Sequence, residues 1–215
     1  MVTFDLPQSC VIDKTVPKNA FHPHLSPAQR KALTAQVDKI TWTHSLTPAT
    51  TNLSGGDVSE IQIFHIALRQ RDKLPALREA MEKVIPYTLL LWLEFEGEVL
   101  LSSSQKHPHA LENNRSVIDW TFATDWFPRD DHPFSLQLAD SLDEVAKRLW
   151  IQLSGKAYDT TGPVSQVVED QQPFYRISRD IAKVEARISR EKQFNKKVEL
   201  NQKLQSLKSD LARLR

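Results

Sequence analysis

The chain has 215 residues, of which 40% are hydrophobic and 26% charged, with a net charge of +1. These values belong to a soluble globular protein of one ordinary domain plus an appendage. They exclude a membrane-spanning helix, since no apolar run reaches the roughly 18–20 residues needed, and the single cysteine, Cys10, excludes an internal disulfide and a cysteine-based zinc site.

In chain order, residues 1–25 read as extended and irregular, broken by Pro7, Pro17 and Pro23. The opening residues lack the basic-then-apolar layout of a secretory leader, so the expected compartment is the cytoplasm. Ser26-Pro27-Ala28-Gln29 is a capping box with proline in the first turn, and predicts a helix to about Asp38. Ile40–Leu46 alternates and predicts a strand. A loop follows through Gly55-Gly56. Glu60–Arg69 is apolar on both faces and predicts a central strand covered on each side. Lys73–Ile85 predicts a helix stopped by Pro86. Tyr87–Phe95 predicts a core strand, and Val99–Ser104 its hairpin partner across Glu96-Gly97-Glu98. Ser116–Ala123 predicts a further strand. Ser141 to Glu144 opens another helix. The aromatic set Trp120, Phe122, Trp126 and Phe127 is read as mostly core.

This pattern predicts an α+β fold: a mixed sheet of about five strands with packed helices, followed by a long C-terminal coiled-coil-like helix. The expected boundaries are a domain at 1–155, a linker at 156–175 and a basic helical arm at 176–215. The arm lacks Gly and Pro. Its apolar residues recur in steps of four and three: Ile177, Ile181, Val184 and Ile188, then Leu200, Leu204, Leu207, Leu211 and Leu214. One helix cannot bury such a narrow seam alone, so a partner is expected, either a protein or a second copy. The two runs are out of phase across Glu191–Asn195. The reading taken is one continuous helix with a local shift in supercoil; the alternative is a break near Asn195 into an antiparallel hairpin.

Charge divides along the same boundary. Residues 176–215 hold twelve Lys or Arg and five Asp or Glu, a net of +7, which leaves sixteen against twenty-two, or −6, in the rest. A basic arm suits phosphate backbones or an acidic protein surface.

Catalytic signatures are sparse. The chain has five glycines and no phosphate-cradling fingerprint, so no cofactor is expected. His22-Pro23-His24 and His107-Pro108-His109 together offer four imidazoles, the number a tetrahedral zinc site takes. No Cys or Asp neighbours support them, and no metal is expected. A metal-dependent nuclease needs carboxylates and a lysine clustered at strand ends; Glu60, Glu94 and Lys106 are the residues available for one. Cys10 falls in the irregular start, with no activating neighbour.

Several stretches resemble a known family: Asp13-Lys14-Thr15-Val16-Pro17-Lys18, Ile40-Thr41-Trp42, Thr51-Asn52-Leu53, Glu60–Phe64, Ile85-Pro86-Tyr87 and, most specifically, Glu191–Asn201. The chain resembles an uncharacterised bacterial domain of unknown function of about this length. Such domains are encoded beside helicases and DNA methyltransferases in restriction-like and phage-defence islands. The resemblance implies a non-catalytic adaptor in a DNA-modification or anti-phage assembly, with helicase or methyltransferase subunits as partners. It brings no catalytic residues. The alternatives are a nuclease or other DNA-processing subunit, or direct nucleic-acid binding by the arm. Lys14, Lys18, Asn52, Glu60 and Lys106 form a candidate polar surface. Glu191, Gln193, Asn195, Lys197, Val198, Asn201, Leu204, Leu207 and Leu211 form the candidate docking element.

Overall fold

The computed structural model describes residues 4, 6–71, 74–108, 116–131, 134–155 and 163–213. Lys73, His109, Arg115, Leu214 and the stretch 156–162 lie outside the described residues. The chain forms two compact units, Met1–Thr160 and Thr161–Arg215.

The first unit is built on seven strands, β1 (Val11–Thr15), β2 (Val37–Leu46), β3 (Ile61–Leu68), β4 (Thr88–Phe95), β5 (Glu98–Pro108), β6 (Ser116–Ala123) and β7 (Phe127–Pro128). They run in the order β1-β2-β3-β4-β5-β6, with β7 added along β5. All pairs are antiparallel except β3 with β4. That one parallel pair needs a crossover, which the helix α3 (Leu74–Val84) supplies. The tight β4–β5 turn places Glu96 and Gly97 at φ of 49° and 81°. Those left-handed values make a primed hairpin turn, for which Gly97 is the natural residue.

The sheet is mixed, as the pattern predicts, and the two strands missed by periodicity are β1 and β7. Residues 1–25 are not simply irregular. Around β1 lie 3₁₀ turns at Gln8–Cys10 and Lys18–His24. Cys10 is not in an open terminus either: it is fully buried, its Sγ 3.8 Å from the Thr50 carbonyl.

One face of the sheet is covered by α1 (Pro27–Gln36) and α3. Leu33, Phe64, Ile66, Leu77, Met81, Leu89, Leu91 and Leu93 share a single core there. The Ser26 box forms as expected, with Gln29 N–H donating to Ser26 Oγ at 3.3 Å and Ser26 N–H to Gln29 Oε1 at 2.9 Å. A four-residue helix, α2 (Pro48–Thr51), replaces part of the expected loop. The second face meets α4 (Leu142–Leu153), where Trp150 stacks on Phe122 at 6.1 Å and its Nε1–H donates to Ser103 Oγ at 2.9 Å. Asp143 at the start of α4 accepts from the Gly56 and Val58 amides at 2.7 and 2.9 Å, tying the loop after α2 to this helix. Of the aromatic set, Phe122 is buried, while Trp120, Trp126 and Phe127 are half-buried.

The second unit is helical. α5 (Val164–Arg190) starts within the expected linker and runs through Pro173. After Glu191–Gln193, α6 (Phe194–Arg213) turns back alongside α5. The continuous-helix reading is therefore corrected, and the break falls two residues before Asn195. Its physical basis is Glu191, whose Oε1 accepts from the amides of Lys192 and Gln193 at 2.9 and 3.0 Å. That local pairing competes with helix continuation. Lys208 and Glu185 join the helices at 3.1 Å.

On the α4 side of the sheet, Phe4 sets its ring edge against His44 and Trp92, at 6.5 and 5.8 Å. Burial pushes the His44 imidazole below its ordinary value of 6.5, and the Asp13 carboxylate acts in the opposite sense. A depressed histidine contributes stability above its unfolded pKa and loses it as pH falls, because the unfolded chain takes up the proton first. Urea midpoints should therefore drop between about pH 7 and about pH 5, and His44→Phe should flatten that drop.

Candidate functional site

The candidate polar surface loses Lys106, which is buried, and its other members lie on separate elements. Lys14 is exposed on the edge strand β1. Lys18 reaches back to the Val37 carbonyl, 2.7 Å from its Nζ, and ties the 3₁₀ segment to β2. Asn52 ends α2 at φ 59°, a left-handed position that asparagine tolerates. Glu60 accepts from Gln62 Nε2 at 2.7 Å, and Gln62 accepts from Trp42 Nε1–H at 2.7 Å. Lys18 and Glu60 thus have local structural tasks.

Lys106 is the sharpest departure. Its side chain is 3% exposed and Glu82, its partner, 1%. The ammonium donates to Glu82 Oε2 at 2.9 Å, to the Glu82 carbonyl at 2.9 Å and to the Ile85 carbonyl at 2.6 Å. An ammonium has three donors, and all three are used. Desolvation pushes Glu82 up and Lys106 down, and each partner's charge opposes the shift of the other.

Nor do Glu60, Glu94 and Lys106 converge. Glu94 is level with Ala67 on β3, seven residues beyond Glu60, or ~23 Å along the strand. Lys106 lies equally far along β5 from Val99, the residue opposite Glu94. The faces differ too. Lys106 reaches under α3, whereas Glu94 alternates with Leu93 and so points away from the α1–α3 core.

What Glu94 does meet is a histidine and an arginine that periodicity did not single out as its partners. Its Oε2 lies 2.7 Å from His65 Nε2 on the parallel neighbour β3, and its Oε1 accepts from Arg129 Nη1 at 2.9 Å. The side chains are 27%, 18% and 39% exposed for His65, Glu94 and Arg129. The carboxylate is shared between two cationic or donor groups, so it orients them rather than standing ready as a base. His65 and Gln62 are the polar residues of an otherwise apolar strand, and His65 was the available signal. The pairing depends on parallel register, which a sequence does not display.

Among the described residues no group of three or more His, Cys, Asp and Glu is placed to hold a metal ion. His107 Nδ1 lies 2.9 Å from Asp119. An apolar crevice between α1 and α3, lined by Leu25, Leu33, Leu77 and Met81, has only Gln29 as a polar lining residue. It lacks the placed polar groups that orient a small ligand.

The helical unit holds the remaining candidates. Leu200, Leu204, Leu207 and Leu211 are half-buried on α6, so the seam is already partly occupied within the chain. Asn201 Nδ2 donates to the Lys197 carbonyl at 2.8 Å and Glu191 is committed to the break. Gln193, Asn195, Lys197 and Val198 are exposed around the tip, together with Phe194, which is 77% exposed. Phe194 is not among the nine residues of the candidate docking element, although it lies inside the stretch Glu191–Asn201.

A family model described as a domain of unknown function (DUF4391) matches residues 4–211. The chain belongs to that family. The match takes in both the sheet unit and the helical hairpin, so the hairpin is part of the family's domain. No curated protein and no solved structure matches the chain. Among the described residues no helix is long and apolar enough to cross a membrane.

The buried pair gives a direct test of the structural role of Lys106. Removing one member of a buried pair strands the other charge, at about 3–5 kcal/mol. Lys106→Met should lose that much in urea unfolding, and Glu82→Leu combined with Lys106→Met should recover most of it. If the double variant is as unstable as the single, the stranded charge is not the cause.

Proposed function

We propose that the chain is a non-catalytic accessory subunit that docks onto a larger assembly through the tip of its helical hairpin. The observation that carries this reading is Phe194, 77% exposed, with Val198 one turn on at 41%. A phenyl ring left in water forgoes roughly 1.5–3 kcal/mol of burial, which a partner recovers. The docking element thus narrows to the tip, because the leucines of the seam are half-covered. Gln193, Asn195 and Lys197 frame the ring; Leu204, Leu207 and Leu211 hold α6 in place behind it.

The resemblance to domains encoded beside helicases and DNA methyltransferases supports placing this assembly in bacterial DNA modification or anti-phage defence. A helicase or methyltransferase subunit is then the partner. The nuclease reading loses support from the geometry, since Glu94 and Lys106 lie on opposite faces and Lys106 is consumed by Glu82.

The test is co-purification of the tagged full-length chain from its own cells, in nuclease-treated extract, against a Phe194→Ser/Val198→Ser variant. The parent should retain one or more proteins in stoichiometric amount, and the variant, with an unchanged circular dichroism spectrum, should lose them. Retention of the same proteins at the same yield by the variant would refute docking through the tip.

A further inference from the structure

Going beyond the protein-docking reading of the hairpin tip, we infer that the tip also holds single-stranded nucleic acid: its cations lie on successive phosphates, and Phe194 stacks on a base.

Arg187 and Arg190 close α5, Lys192 lies in the break, and Lys196 and Lys197 open α6. All five are exposed, and among the described residues none forms an ion pair; the pairs of this unit are Lys183–Asp180, Lys208–Glu185 and Arg213–Asp210. Glu191 is the one carboxylate between Arg187 and Lys197, and it is already engaged. The Gln193 amide above all, then the Lys192 amide and the charges of Lys196 and Arg187, hold it below the usual carboxylate range. The tip therefore presents net positive charge, five cations to one carboxylate.

The placement of that charge works against the local structure. A helix N-terminus carries a partial positive charge and favours acids in its first turn. The first turn of α6 has no acid and two lysines. A local rule broken without gain to the helix is characteristic of functional positions. The helix end and the lysines add, so an anion placed there meets both fields.

The residue types separate the classes of partner. Lysine is depleted in the cores of protein–protein interfaces but ordinary on phosphates. Three of the five cations are lysines. A duplex offers phosphates but keeps its bases stacked, which leaves Phe194 unused. A single strand offers both phosphate and an open base face, and aromatic stacking on it is tolerant of sequence.

The probe is a labelled oligothymidine, titrated with the full-length chain by fluorescence anisotropy over a salt series. A duplex of equal length, phosphatidylserine vesicles, and light scattering of the protein alone run in parallel. Five phosphate contacts on a single strand give a log–log salt slope of about −3.5. Phe194→Ala should weaken binding by about tenfold with the slope unchanged. Lys192→Glu/Lys197→Glu should flatten the slope by about 1.4. The inference is overturned if oligothymidine does not bind at low salt, or if duplex binds as well and Phe194→Ala has no effect. Preferential binding to the vesicles, or self-association abolished by the tip variants, also overturns it. No oligothymidine binding alongside tip-dependent co-purification removes this inference and leaves the protein-docking reading. Oligothymidine binding weakened by Phe194→Ala, with protein partners retained by the tip variant, does the reverse.

Discussion

The Lys106 ammonium has no water to stand in, and its three bonds all run to the end of one helix. That helix, α3, carries the chain between the parallel strands β3 and β4. A shift of α3 by one turn would leave a buried charge without its partner, which costs far more than any single apolar contact at the same surface. The pair therefore fixes where α3 ends, and with it where β4 begins four residues later. β4 is then held between β3 and β5 with Leu89, Leu91 and Leu93 under the helices and Leu90 and Trp92 on the other face. The cost of burying two charges is exchanged for a single allowed position of the crossover.

The same exchange explains why a sequence reading misplaced Lys106. A lysine after a hairpin is normally solvated, and its burial arises from α3, more than twenty residues away in the chain. Strongly periodic elements were legible. The Ser26 box, the β3–β4 core and the Ser141 cap rest on short-range rules that tertiary packing here reinforces. β1 was not legible, because its five residues are mostly exposed and show no alternation. β7 has only two residues, too few for any period.

The helical unit was legible in its seams but not in its path. Apolar spacing located Ile181, Val184, Leu204 and Leu207, all now at least half-buried. The phase slip was visible too. A slip can become a shift in supercoil or a turn; here it becomes a turn, and the Glu191 side chain accepts from the two amides just beyond it. Periodicity carries no information about that choice. The consequence reached the candidate site, since a turn at 191–193 makes Phe194 a tip residue instead of a position along a rod. His65 and Arg129 illustrate a second limit: they meet only through Glu94, across a register that sequence spacing does not encode.

Cys10 gives the molecule a built-in reporter. Its thiol is fully buried beneath the Thr50 carbonyl, and it is the sole cysteine in the chain. A maleimide reagent can reach it only when the segment before β1 lifts away from α2. The labelling rate, measured without denaturant, thus reads the local opening equilibrium of the N-terminal edge separately from global unfolding. The edge strand of the sheet can in this way be followed on its own, by a chemistry that no other residue of the protein competes for.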